Sequence, residues 1–263
     1  RIVSHGLVGL ILESSIVIIM WHSNSDIECV GSSMGIYRLA KTLEKDAYIV
    51  LNPRGDNLSA FLNELNQNEE YNGIVIDSNT ALGILDDDTL LVVVDTNKKN
   101  YVESPELLSS AKKIMVVDHH RRSPDYIENA TLTFHEVYAS SASELVTELV
   151  EYAQKEVNLT SLEAEALYSG IMMDTKTFTF KTGVRTFEAA AYLRKCGVDI
   201  IKVKKWFQSD LDTYNKISNI IGRAELVYDT IAISIYDEED KDSNVVCAKA
   251  ADELLTISNI TAS

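Results

Sequence analysis

Three cysteines, three prolines and eleven glycines are all that the 263 residues hold of the types that staple, break or loosen a chain. Cys29, Cys196 and Cys247 have neither disulfide nor thiolate-metal spacing, and so odd and sparse a set suits a reducing, cytoplasmic setting. Cys29, beside Glu28, is expected to be a small apolar filler. Pro53, Pro105 and Pro124 mark no linker, and there are no internal repeats or low-complexity tracts. No run of about 18 uninterrupted apolar residues exists, so no membrane contact is expected of this segment. The nearest approach, residues 5–20, is broken by Glu13, Ser14 and Ser15 into a short helix and a strand. Positive charge is also scarce: 24 Lys and Arg against 40 Asp and Glu leave a formal net charge of −16. That excess disfavours long nucleic acid, whose binding rests on neutralising many phosphates with Lys and Arg.

What is present is the composition of a globular protein, 46% hydrophobic and 24% charged. Short runs rich in branched apolar residues at 16–21, 47–51, 73–76, 90–95 and 113–118 predict strands. Helices are expected between them at 31–44, 58–65, 80–85 and 105–111. Such alternation means parallel strands with crossover helices, an α/β fold with helices on both faces of the sheet. After His135 the pattern turns helical, at 142–153, 162–173, 185–195 and about 198–208. Residues 1–208 are therefore expected to form the main domain and 209–223 a polar helical connector. Residues 224–263 are expected to begin a further α+β domain, with a strand pair over 225–236 and a helix over 244–256. The acidic run 238–242 is expected to be a solvated loop.

Chemistry gathers where the apolar runs stop. Val116-Val117 leads into Asp118-His119-His120-Arg121-Arg122, and the run 16–21 ends at His22, followed by Asp26 and Glu28. The run 90–94 closes on Asp95, and a mostly apolar patch at 171–173 closes on Asp174. Each acid alone is ordinary as a turn or cap residue. Together, His22, Asp26, Glu28, Asp95, His119 and Asp174 follow or end apolar elements, and parallel strand ends lie along one edge. So many carboxylates in one cleft would raise each other's pKa unless cations were bound there. Imidazole and carboxylate without thiolate suit a hard or borderline divalent ion such as Mn²⁺. Six donors exceed one catalytic zinc and fit two ions sharing a bridging carboxylate.

These residues carry a family resemblance. His22-x-x-x-Asp26-x-Glu28, Asp95, Asp118-His119-His120 and Asp174 resemble the four ordered motifs of the DHH phosphoesterases. Ala139-Ser140-Ser141-Ala142-Ser143-Glu144 and the stretch from Gly170 to Glu188 resemble the GdpP-type cyclic-di-AMP phosphodiesterases within that family. The resemblance implies one metal on His22, Asp26 and Asp95 and another on Glu28, Asp95, His119 and Asp174, with Asp95 bridging. It places His120 on the scissile phosphate and Asp118 behind the imidazoles as their orienting group, these two being the catalytic pair. Arg121, Arg122, Ser140 and Ser141 are then candidate phosphate contacts, arginine being suited to bidentate recognition.

Function follows as an expectation: two-metal, Mn-dependent hydrolysis of cyclic-di-AMP to linear pApA. The enzyme alternative is cleavage of very short RNA or of 3′,5′-bisphosphoadenosine. A domain that binds nucleotide without turnover is the non-enzyme alternative, kept open by two departures, Glu28 where the family usually has Asp and Ser25 where it has Pro. Trp21 also replaces a small residue, and Asn97 a frequent His. A small nucleotide is the expected partner, and a second copy of the chain is allowed for. Relatives of this type commonly carry membrane helices and sensory domains upstream, so an N-terminal anchor outside the segment is expected. They also close a Gly-rich, His-containing C-terminal domain over the metals. With no Gly-Gly-Gly-His run present, the segment alone is expected to bind metal but to turn over dinucleotide poorly.

Overall fold

The computed structural model describes residues 1–52, 58–237 and 243–263, so the loop expected over 238–242, and Pro53, lie outside the described residues. Strands β1 (Val17–Met20), β2 (Ala47–Val50), β3 (Val75–Ile76), β4 (Leu90–Val94), β5 (Lys113–Asp118) and β6 (Leu132–His135) form one sheet in the order β3-β2-β1-β4-β5-β6. Every pairing is parallel, and Ile18 of β1 stands between Tyr48 and Leu91. The order reverses between β1 and β4, and in sheets of this kind ligands sit in the crevice beyond the carboxyl ends of the strands at the reversal.

Both faces are covered, which is why the central strands read as unbroken apolar runs. Ile19, Val92, Val94, Met115 and Val117 point into the larger core, and Ile18, Met20, Leu91, Val93, Ile114 and Val116 into the smaller. Helices α1 (Ile2–Leu12), α2 (Ile27–Thr42) and α3 (Ser59–Asn66) contribute to the larger core. Helices α4 (Ser78–Ile84) and α5 (Pro105–Ser110) cover the other face. Beyond the sheet come α6 (Ala142–Glu151), α7 (Ser161–Asp174), α8 (Val184–Lys195) and α9 (Ile200–Trp206), stacked on the larger-core side.

Three local differences from the expected elements have simple causes. Helix α2 starts at Ile27, four residues early, because the Asp26 carboxylate accepts from the Cys29 amide at 3.0 Å and caps the first turn. Strand β3 is short because Gly73, at φ 76°, belongs to the turn before it. Strand β6 was not expected: it is four residues long, with only Leu132 and Phe134 packed against the core, too little pattern to announce itself.

The chain divides into two compact units, Arg1–Trp206 and Phe207–Ser263. In the second, α10 (Leu211–Gly222) is less purely polar than expected, packing Ile217 and Ile220 with Val246 and Ala250 of α11 (Ser243–Leu254). The antiparallel pair β7 (Glu225–Val227) and β8 (Ile231–Ile233) lies between these helices in sequence. No helix among the described residues is long and apolar enough to cross a membrane.

Candidate metal centre

The strand ends supply the first donors. His22 follows β1 by two residues, and its ring stacks on Tyr101 with centroids 5.4 Å apart. Asp95 follows β4 directly and adopts φ 59°, a left-handed conformation that Asp tolerates better than most residues. Its amide still donates to the Val117 carbonyl at 2.9 Å, so the chain leaves the sheet abruptly and the carboxylate stays buried over the β1–β4–β5 edge. Asp95 Oδ2 lies 3.3 Å from His22 Nε2, and Oδ1 lies 3.5 Å from His119 Nε2, beyond the end of β5.

Helices supply the remaining donors. The cap that starts α2 holds Asp26 with Oδ2 at 3.8 Å from His22 Nε2, and it sets Glu28 and Cys29 in the first turn. Asp174 ends α7, its Oδ2 3.1 Å from His119 Nε2. The crossing of α2 and α7 makes this approach close. A Cβ on Gly31 would overlap the Ala166 carbonyl oxygen, and one on Gly170 would overlap Ser143 Oγ and stand 3.1 Å from Glu28 Cα. Glu28 reaches across to α6, accepting from the Ala142 amide at 2.5 Å, with the same oxygen 3.6 Å from His119 Nε2. Past Asp174 the backbone takes φ values of 45°, 59° and 62° at Lys176, Thr177 and Phe178, a strained turn beside the centre.

Three overlapping groups result: His22, Asp26, Cys29 and Asp95; Asp95, His119 and His120; Glu28, His119 and Asp174. Their donor atoms lie within 4.8 Å of one another in each group. His119 Nε2 and Asp95 Oδ1 are buried and, among the described residues, have no hydrogen-bond partner despite these short separations. Donors that converge without pairing fit a divalent cation better than a proton network. The residues present therefore fit the metal that their chemistry implies.

The same groups perturb one another strongly. Burial disfavours a charged His119, yet the Asp174 and Asp95 carboxylates outweigh it and push its pKa up to about 10. Burial opposes ionisation of Asp95 as well, and the His119 and His22 imidazoles overcome it and hold that carboxyl down. Glu28 goes the other way: burial first, then the charges of Asp95 and Asp174, push it well above the usual carboxylate range. Burial and the adjacent carboxylates likewise push the Cys29 thiol well up.

Around this cluster, Asp118 is fully buried and accepts from the His120 amide at 3.2 Å and from His120 Nδ1 at 2.8 Å. A carboxylate here can only accept, so Nδ1 carries the proton, which leaves Nε2 of this half-exposed ring uncommitted to Asp118. Asn97 Nδ2 donates to the other Asp118 oxygen. Arg121 and Arg122 are exposed, Arg122 lying over the Tyr126 ring at 4.7 Å. Ser140 and Ser141 are buried, and both hydroxyls are engaged: Ser140 Oγ donates to Glu144 Oε2 at 2.5 Å, and Ser141 Oγ accepts from the Glu144 amide at 3.0 Å. Sequence reasoning missed Cys29 as part of the cluster, although its place one residue after Glu28 was a signal. It also missed His135, whose Nε2 lies 2.5 Å from the His120 carbonyl, because β6 itself was not foreseen.

Residues 16–171 match the N-terminal domain of the DHH family. The chain belongs to that family. It is 40% identical over 267 residues to the cyclic-di-AMP phosphodiesterase GdpP of Bacillus subtilis (strain 168), covering all of this chain and 40% of the relative. Identity to the cyclic-di-AMP phosphodiesterase PdeA of Listeria monocytogenes serotype 1/2a (strain 10403S) is 39% over 268 residues, with the same coverage. This chain thus spans about 40% of the length of those relatives. Among solved structures, an exopolyphosphatase-related protein from Bacteroides fragilis superposes with a TM-score of 0.80 at 17% identity, covering 98% of this chain and 77% of that one. That likeness establishes the α/β fold here, as the sequence predicted.

Proposed function

We propose that this chain carries the catalytic centre of a phosphodiesterase that opens cyclic-di-AMP to linear pApA with two divalent cations, Mn²⁺ the favoured pair. His22, Asp26 and Asp95 would hold one ion, and Glu28, Asp95, His119 and Asp174 the other. The observation that supports this most directly is the two-sided Asp95 carboxylate, one oxygen toward His22 and the other toward His119. The whole-chain similarity to GdpP and PdeA supports the choice of substrate.

Bound there, the ions would acidify the attacking water and offset charge gathering on the non-bridging oxygens. The protein's own groups do the rest. Asp118 keeps the His120 proton on Nδ1 and leaves Nε2 uncommitted, from which the protonated ring can donate to a phosphate oxygen and stabilise developing charge. Arg121 and Arg122 stand next in sequence for bidentate contact, Arg122 by leaving its stack on Tyr126. Ser140 would reach a phosphate only by exchanging its bond to Glu144, whereas Ser141 Oγ accepts from the Glu144 amide and keeps its hydroxyl proton to donate; both also fix the start of α6 over Glu28. Hydrolysis adds water at phosphorus, breaks one P–O ester bond and returns the proton to the leaving ribose oxygen.

The test is product analysis with the whole protein, Mn²⁺ and three candidate substrates: cyclic-di-AMP, 3′,5′-bisphosphoadenosine and a short RNA. The expected product is pApA, at a rate well above release of phosphate or mononucleotide from the other two. Preference for either competitor would replace the substrate. Tight nucleotide binding with no turnover, metal in place, would make this a binding domain.

A further inference from the structure

Cys29 has no part in the chemistry above, yet it stands within the centre. Its sulfur is 3.0 Å from His22 Nε2 and 3.4 Å from Asp95 Oδ2, and those two atoms are 3.3 Å apart. Donors bound at about 2.0–2.3 Å to a common ion stand about 3–3.7 Å from each other, so the triangle has the size of one face of a coordination shell. The placement is built in. The Asp26 carboxylate that caps α2 does so on the Cys29 amide, which ties the acid and the thiol to the same helical turn. Cys29 is fully buried, His22 is 7% exposed and Asp95 2% exposed. Among the described residues Asp95 Oδ1 has no hydrogen-bond partner, so this buried carboxylate has capacity left on its far side while its Oδ2 faces the sulfur. An apolar filler would need only the volume; this sulfur is aimed at a nitrogen and a carboxylate.

We propose that Cys29 is a fourth ligand of the ion held by His22, Asp26 and Asp95. That half of the centre would then be a sulfur–nitrogen–oxygen site favouring a softer divalent ion, Zn²⁺ or Co²⁺, while the half built from Glu28, His119 and Asp174 keeps only nitrogen and oxygen donors. The inference rests on the two-cation assignment above. On coordination the thiol gives its proton to the buffer and the sulfur donates as thiolate, with no change in oxidation state. Two chemically unlike halves sharing Asp95 would let the centre carry two different metals at once.

The test is spectroscopic and needs no turnover. The chain is loaded with Co²⁺, the bound ions are counted by equilibrium dialysis, and the near-ultraviolet is scanned for thiolate-to-cobalt charge transfer. The expected result is a charge-transfer band that is lost in Cys29→Ser and kept in Cys196→Ser and Cys247→Ser. X-ray absorption on the unaltered chain loaded with one equivalent of Zn²⁺ should find one sulfur neighbour, which covers the case of a Cys29 variant that fails to fold. Bound cobalt without the band, and zinc with only nitrogen and oxygen neighbours, would overturn the Cys29 ligand alone. Failure of the chain to bind either ion would overturn the two-cation assignment along with it.

Discussion

Strand ends carry His22, Asp95, Asp118 and His119, whereas helices carry Asp26, Glu28 and Asp174, and the two sets reach one centre by different physics. The strand-borne groups are placed by sheet topology: β1, β4 and β5 are neighbours, so whatever follows them shares one edge. The helix-borne groups are placed by capping and by how closely α2 and α7 can cross, which depends on residues with no side chain at Gly31 and Gly170. The first kind of placement survives most substitutions away from the site. The second can be lost at positions that touch no ligand.

The largest effect should come from the one strand-borne carboxylate that faces both His22 and His119. Asp95→Ala is expected to abolish both Mn²⁺ sites in a calorimetric titration, whereas Asp174→Ala should remove only the half it serves. Equal losses from the two variants would mean that the halves are not linked through Asp95.

The helix crossing can be broken without touching a donor. Gly31→Ala puts a methyl onto backbone, the Ala166 carbonyl, with the carbonyl carbon 2.9 Å away, and neither can rotate aside. Overpacking of this kind costs about 3 kcal/mol, and the gain in helix propensity recovers about 1 kcal/mol. Gly170→Ala meets chiefly a side chain, Ser143, with Oγ overlapped and Cβ at 2.9 Å. It should cost less, about 1–2 kcal/mol by urea unfolding, and Ser143→Gly should restore part of the loss. No rescue would place the strain at Glu28 Cα instead, with Mn²⁺ affinity falling alongside stability.

The strand-borne set was legible from sequence because an apolar run that stops at a charged residue announces both the strand and its end. All five expected strands formed, and their order put His22, Asp95 and His119 together at the reversal point. Beyond the sheet the signal weakened for physical reasons. Strand β6 buries only part of one face, and α2 began earlier than its apolar pattern because a cap, not burial, sets its first turn. Cys29 was read as filler because a thiol's volume is visible in sequence while its direction is not. Ser140 and Ser141 were visible as a motif, but both bond Glu144, Ser140 as donor to its carboxylate and Ser141 as acceptor from its amide, a partner that only the folded chain identifies.

A smaller effect should come from the group that orients a strand-borne histidine. Asp118→Asn removes the carboxylate charge that supports a proton on both nitrogens of His120, the form of the ring that can donate from Nε2 to a phosphate oxygen. Turnover by the whole protein should fall by about 10²-fold, equivalent to about 2.7 kcal/mol in the barrier, with little change in KM or in Mn²⁺ binding. A matching rise in KM would mean that His120 serves ground-state binding instead.

Glu28 is where the two kinds of placement meet, and the smallest expected effect tests it. One carboxylate oxygen accepts from the Ala142 amide at 2.5 Å while lying 3.6 Å from His119 Nε2, so the longer side chain bridges α6 and the centre. An Asp at this position is one methylene shorter and cannot keep both. Glu28→Asp should leave the buried Ala142 N–H without its partner, costing about 1 kcal/mol in urea unfolding, and should weaken Mn²⁺ binding in the His119–Asp174 half. Tighter Mn²⁺ binding and faster turnover at unchanged stability would give the opposite answer. Glu28 would then be a compromised ligand, and the helix-borne half would limit the chemistry that the strand-borne half could otherwise perform.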